Sequence, residues 1–116
     1  VIAPGESANQ CVSYASRAFK KLSMQQDVPV LLLSQLSRKP EMQNRAPALG
    51  DLRDSGSIEQ DADTVMLLSR TEEATDTDTI CVHLAKNRRG PGGKVNLIFE
   101  KAFGRFSQPD ENPRLN

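Results

Sequence analysis

Tryptophan is absent, and aromatic residues make up only 4% of the 116 residues. Any core must therefore be aliphatic, built from Val, Ile and Leu. There are only two cysteines, Cys11 and Cys81, far apart and each in an apolar setting. That excludes a disulfide framework and a cysteine metal site, and fits buried thiols in a reducing compartment. No apolar run is long enough to cross a bilayer, and Val1-Ile-Ala-Pro-Gly5 has no charged n-region of a signal peptide. No membrane partner and a cytoplasmic location are the expectations. The missing initiator Met and a start that reads as mid-strand suggest a piece of a longer chain. Net charge is also missing, because 15 basic and 15 acidic side chains cancel. Global charge therefore argues neither for nor against a nucleic-acid partner.

Local charge is more informative. Glu72 to Asp78 holds four acids and no base, and Lys86 to Lys94 holds four bases and no acid. A cationic loop on a neutral chain is a sharper signal than a cationic chain.

Hydrophobic periodicity gives an order of elements. Ser7 and Gln10 stand at capping-box spacing before a helical pattern. Val12, Ala15, Phe19 and Leu22 fall on one face, with Arg17, Lys20 and Lys21 on the other. Val28-Pro29 stops that helix. Val30 to Leu33 is a continuous aliphatic run, as expected of a strand buried on both faces of a parallel sheet. Gln35 to Asp54 is polar, broken by Pro40, Pro47 and Gly50, and reads as a long loop of the kind that is functional or mobile. Gly56 to Asp61 predicts a short helix, and Thr64 to Leu68 another buried strand. Thr71 to Thr79, without an apolar anchor, is expected to be an exposed, mobile connector. Ile80, Val82 and Leu84 alternate as in a strand, as do Val95, Leu97 and Phe99. The Gly-rich segment Asn87 to Gly93 between them predicts a β-hairpin. Residues 107–116, with Pro109 and Pro113, are expected to form a flexible tail, leaving 1–106 as the folded unit. The fold class is α/β, with parallel strands and an antiparallel hairpin at the edge.

Three places could carry chemistry. Ser34-Gln35 directly follows the first buried run, and ligands of open α/β sheets sit beyond the carboxyl ends of strands. An amide there can both donate and accept, as a nucleotide-state sensor must; the alternative is a polar residue that merely ends a strand. Arg53-Asp54-Ser55-Gly56 closes the long loop. Arg53 could meet a phosphate, Gly56 permits close backbone approach, and helix-start N–H groups add donors. With no aromatic in the loop, contacts should follow a nucleic-acid backbone rather than read its sequence. The alternative is a solvated loop. In Lys86-Asn-Arg-Arg-Gly-Pro-Gly-Gly-Lys94, the Gly-Gly-Lys ending only imitates a P-loop, because Val95 stands where Ser or Thr would hold magnesium. Lys86 and Arg88, two apart on a strand, share one face and could neutralise a transferring phosphate, against the alternative of a hydrated hairpin tip. His83 has no partner at metal-ligand spacing. Glu59, Asp61 and Asp63 read as acids of a helix turn or a solvent face rather than a metal site.

Taken in order, these segments resemble a family. Ser34-Gln-Leu-Ser-Arg38 resembles the Ser-Gln-Leu motif of DnaB-type replicative helicases. Asp51-Leu-Arg-Asp-Ser-Gly-Ser-Ile-Glu-Gln-Asp-Ala-Asp63 resembles that family's most distinctive stretch, with Asp54 where Glu is usual. Lys86 to Gly93 resembles its Lys-x-Arg-Asn-Gly-Pro-x-Gly hairpin, with Arg89 where Asn is frequent. Gly104-Arg-Phe106 resembles the usual end of the motor domain. The resemblance implies the C-terminal part of a RecA-like core in a homohexameric ring around single-stranded DNA, nucleoid-associated, with primase and a helicase loader as further partners. ATP and Mg2+ are the implied cofactors, bound mainly by segments other than this one. By position, Gln35 would sense the γ-phosphate. Arg53, Asp54 and Gly56 would follow the DNA, and Lys86 and Arg88 would reach the neighbour's ATP, with Arg88 as arginine finger. Arg89 is the competing candidate for that role. No GxxxxGK[ST] motif or Walker-B aspartate occurs in the chain; both are expected before residue 1, so the chain as given is expected to hydrolyse no ATP by itself. Other readings are a different RecA-type ring ATPase (recombinase or clock-type) and a non-catalytic remnant that binds nucleic acid or a partner.

Overall fold

The structure, a computed structural model, describes residues 8–52 and 55–109. Helix α1 spans Ala8–Gln26, α2 Lys39–Met42 and α3 Ser55–Asp61, with a 3₁₀ turn at Leu49–Asp51. Four strands follow: β1 (Thr64–Glu73), β2 (Thr77–Asn87), β3 (Gly93–Glu100) and β4 (Arg105–Ser107). They pair antiparallel in the order β1-β2-β3-β4.

Helix α1 ends as the sequence expects, just before Pro29. Asp27 takes a left-handed φ of 52°, and the Val28 N–H donates to the Ser23 carbonyl at 3.2 Å. This closes the last turn in the manner of a Schellman motif. The face α1 presents inward differs from the expected one. Val12 packs on the core and Ser16 is buried, whereas Phe19 and Leu22 are partly exposed. Positions 12, 16 and 20 lie at i, i+4, i+8 and form the stripe facing α3.

The core is small. Leu52, Ile58, Val65 and Leu67 are its buried residues, with Val12, Leu36, Leu49, Ala62 and Ala85 packed around them. The 3₁₀ turn, α3, β1 and β2 all contribute, so Leu52, Ile58 and Ala62 of the Asp51–Asp63 stretch pack into the core. Strand β1 is half-buried rather than covered on both faces. Val65 and Leu67 point inward, while Met66 and Leu68 are exposed.

Val30 to Leu33 forms no strand, contrary to the sequence expectation; Leu31 is 80% and Leu33 87% exposed. A strand buried on both faces needs a ladder on at least one side, and among the described residues none pairs with 30–33. Among the described residues an isolated bridge nearby joins Leu36 to Leu52. The run instead borders an open trough that it shares with Val65 to Leu68 and Phe19.

The acidic connector is likewise ordered. Thr71 to Thr79 forms the paired ends and turn of the β1–β2 hairpin, with Glu72 opposite Thr79 and Glu73 opposite Asp78. Two of its acids, Glu73 and Asp78, pair with Arg70 at 3.6 and 3.9 Å and also with a cation distant in sequence. Lys101 Nζ lies 3.3 Å from Asp78 and 3.6 Å from Glu73, and it donates to the Ala74 carbonyl at 2.8 Å. The expected β2–β3 hairpin is present, with Ile80 opposite Leu97 and Val82 opposite Val95. Ser107, placed in the tail by sequence, pairs with Ile98; residues 110–116 lie outside the described region. Cys11 and Cys81 are half-buried rather than buried, on α1 and β2. Among the described residues no helix is long and apolar enough to cross a membrane.

Candidate functional site

The third helix is only seven residues long, too short to hold its shape alone. Its sequence places hydroxyls and acids where α1 can meet them. Ser57 Oγ lies 2.7 Å from Ser13 Oγ. Asp61 accepts from Ser16 Oγ at 2.9 Å and from Arg17 Nε at 3.1 Å. Ile58, next in sequence to Ser57, enters the core.

The carboxyl end of α3 has free carbonyls and the negative end of the helix dipole, which favour cations. The β2–β3 hairpin supplies them. Lys86 Nζ donates to the Glu59 carbonyl. Arg88 Nη2 donates to the Gln60 carbonyl at 3.2 Å, and Nη1 to Asp63 Oδ1 at 2.7 Å. The Arg88 backbone N–H bonds the Asp63 carbonyl at 2.9 Å. Lys20, from α1, donates to both oxygens of Asp63 at 2.9 and 3.0 Å. The Lys20 hydrogen bond holds the Asp63 carboxyl below its ordinary pKa, with the charges of Lys20, Arg88 and Arg89 adding to it against some desolvation.

A second lock lies in the long loop. Arg45 grips Asp51 bidentately, Nη1 to Oδ2 at 2.8 Å and Nη2 to Oδ1 at 2.7 Å. The Ala48 N–H adds a bond to Oδ2 at 2.7 Å. The Arg45 and Ala48 hydrogen bonds push the buried Asp51 carboxyl down to about 2. The Asp51 carbonyl also accepts the Ser37 N–H at 2.7 Å, tying the segment after Gln35 to the one before Arg53.

Of the residues singled out by sequence, Lys86 and Arg88 are brought together on the end of α3. Arg88 remains half-exposed, while Lys86 is turned toward the Glu59 carbonyl. Gln35 is exposed just before the Leu36–Leu52 bridge, and among the described residues no side-chain hydrogen bond joins it to Lys86 or Arg88. Arg53 and Asp54 lie outside the described residues. Gly56 sits exposed in the first turn of α3, and a Cβ there would meet nothing within 4 Å. No contact inside the described chain requires glycine at that place.

Sequence reasoning missed four participants. Lys20 and Arg17 were expected on a solvated face, yet both pair with acids after or within α3. Asp61 and Asp63 read as acids of a helix turn or a solvent face; Asp63 is exposed, but it and Asp61 each hold a cation from α1. The partners lie more than forty residues apart, beyond the reach of local periodicity. The one available signal was the matching two- to four-residue spacing of Ser16, Arg17 and Lys20 against Asp61 and Asp63. Among the described residues, no three His, Cys, Asp or Glu side chains gather as a metal site.

The architecture matches ATPase domains of replicative helicases. The ATPase domain of G40P superposes with a TM-score of 0.81 at 40% identity, over 93% of this chain and 40% of that one. A DnaB-like replicative helicase, solved in a study of its interactions with primase, gives 0.82 at 39% identity, over 94% and 27%. The replicative DNA helicase DnaB of Leifsonia xyli subsp. xyli is 46% identical over 110 residues, 88% of this chain. The chain spans 23% of that relative's length. The family model for the DnaB-like helicase C-terminal domain matches residues 2–108. The fold is thus α/β of the RecA-like ATPase class, and the chain belongs to the DnaB-like helicase C-terminal domain family.

Proposed function

We propose that this chain serves as the C-terminal part of the motor of a hexameric, ATP-dependent replicative DNA helicase, which translocates on single-stranded DNA and unwinds duplex. In this reading Gln35 senses the γ-phosphate of its own subunit, and Arg53, Asp54 and Gly56 follow the DNA backbone. Lys86 and Arg88 reach the ATP of the neighbouring subunit, with Arg88 as arginine finger. Primase and a loader are further partners of the whole assembly, and the nucleoid is where it acts.

The observation that carries the proposal is the meeting of hairpin and helix. Lys86 and Arg88 dock on the carboxyl end of α3, whose amino end adjoins the proposed DNA loop. A change felt by the cations of the hairpin is therefore one short helix away from Gly56.

The residues present fit a phosphate ligand unevenly. The half-exposed guanidinium of Arg88 offers planar donors suited to a phosphoryl group. Lys86 must first leave the Glu59 carbonyl. Magnesium is assigned to no residue here, because no acidic or imidazole cluster of the described residues suits it. ATP supplies the phosphoryl group whose transfer drives movement. Arg88 neutralises charge at that group, an effect worth about 10³–10⁵ in rate for trans-acting fingers.

The experiment is a pair of variants in the full-length protein that carries this sequence. Arg53→Ala should weaken single-stranded DNA binding and flatten its salt dependence, since each lost phosphate contact lowers the slope. Arg88→Ala should leave DNA binding within about twofold and remove DNA-stimulated hydrolysis. Unchanged binding in the first, or unchanged hydrolysis in the second, removes that residue from its role.

A further inference from the structure

Asp63 follows α3 and is exposed, yet it organises two cations from distant parts of the chain. Arg88 reaches it from the hairpin at 2.7 Å, and Lys20 spans both its oxygens at 2.9 and 3.0 Å from α1. The guanidinium of Arg88 is held at a second point by the Gln60 carbonyl. Arg88 is therefore not a loose side chain waiting for an anion. It is docked, half-exposed, on a carboxylate of its own subunit.

We propose that Asp63 is a positioning residue that parks Arg88 against α3 in the idle state, and that Lys20 is the counter-cation that lets Arg88 leave. This rests on the reading of Arg88 as the group that reaches the neighbouring nucleotide. Three features support it. First, the pair is exposed on both sides, 47% for Arg88 and 59% for Asp63. Water and salt weaken such a pair, so a polyanionic phosphate competes for the guanidinium successfully. Second, departure of Arg88 does not strand Asp63, because Lys20 already bonds both carboxylate oxygens. Third, cations outnumber acids at this point. Lys20, Arg88 and Arg89 act on the single carboxylate of Asp63, while Asp61 is occupied by Ser16 and Arg17. The surplus repels Arg88 toward an incoming anion.

The dock also ties the parked state to the helix that adjoins the DNA loop. Arg88 holds Gln60 as well as Asp63, so any shift of α3 alters two of its bonds together. DNA engagement that displaces α3 would loosen the dock and raise the fraction of Arg88 free to reach across the interface. A ligand moves such an equilibrium only by its unequal affinity for the two states, and a phosphate that binds only undocked Arg88 satisfies this.

The test measures ATP hydrolysis with and without single-stranded DNA in the full-length protein carrying Asp63→Asn, Asp63→Glu, Lys20→Met or Arg88→Ala. Asp63→Asn removes the competing charge. Its DNA-free hydrolysis should rise by about two- to fivefold, the equilibrium factor of an exposed ion pair, and its DNA stimulation ratio should fall. Asp63→Glu should restore the wild-type ratio. Lys20→Met leaves Arg88 as the main counter-ion of Asp63, so DNA-free hydrolysis should fall. A purely structural loss of the cluster would lower the rate in both Asp63→Asn and Lys20→Met, whereas the dock moves DNA-free rates in opposite directions. If Arg88→Ala abolishes hydrolysis while Asp63→Asn and Lys20→Met leave the DNA-free rate unchanged or shift it the same way, the dock is wrong and the finger stands. If Arg88→Ala retains full hydrolysis, the finger reading itself fails and the dock with it.

Discussion

Arg45 and Asp51 clamp the long loop through two parallel hydrogen bonds of 2.8 and 2.7 Å. The pair joins residues six apart across two breakers, Pro47 and Gly50, and leaves the loop closed just before Arg53. The Arg45 guanidinium is thereby committed to a buried carboxylate of its own loop.

That commitment predicts a pH response. The Asp51 carboxyl is held down to about 2 in the folded chain, first by Arg45 and then by the Ala48 N–H. A depressed folded pKa contributes stability above the ordinary carboxylate range, and that contribution is lost as pH falls from about 4 through about 2. A carboxyl-detected NMR titration should find the Asp51 midpoint near 2 in wild type. In Arg45→Ala it should move up toward the ordinary value. A wild-type midpoint near 4 contradicts the clamp.

Gly56 predicts a separation of fold from binding. Open space surrounds its missing Cβ, and alanine favours helix by about 1 kcal/mol over glycine. Gly56→Ala should therefore melt no lower than wild type yet bind single-stranded DNA more weakly, measured by fluorescence anisotropy. Equal binding would mean that nothing from outside approaches that backbone.

Gly92 predicts the opposite. A Cβ there would lie 2.8 Å from the Leu84 carbonyl oxygen, a backbone atom that cannot step aside. Gly92→Ala should destabilise the β2–β3 hairpin by roughly 1–3 kcal/mol, the usual cost of overpacking, read from chemical denaturation. An unchanged midpoint would show that the hairpin tip yields freely.

Much of this was legible in the sequence because it is local. The stop of α1 before Pro29, the short helix over Gly56 to Asp61 and the alternation of Ile80, Val82 and Leu84 each depend on residues within a turn or a strand of one another. The RecA-like class and the helicase family were legible too, through the Asp51–Asp63 stretch. What periodicity could not give was pairing across distance. Leu31 and Leu33 have the composition of a buried strand, but burial depends on a neighbouring ladder, and none among the described residues covers them. Glu73 and Asp78 looked solvated because Lys101, which pairs with both, stands beyond β3 in the chain. Lys20 and Asp63 are forty-three positions apart, and nothing in either local pattern announces the other.

The central claim is that Arg88 acts on the neighbouring subunit's nucleotide while Gln35 acts on its own. Complementation between two variants of the full-length protein tests it most directly. Gln35→Ala rings and Arg88→Ala rings should each show little DNA-stimulated hydrolysis. Mixed in equal amounts and reassembled, about a quarter of the head-to-tail interfaces should pair an intact sensor with an intact finger, and hydrolysis should reappear. A mixture as inactive as its parents, or an Arg88→Ala ring as active as wild type, would contradict the account.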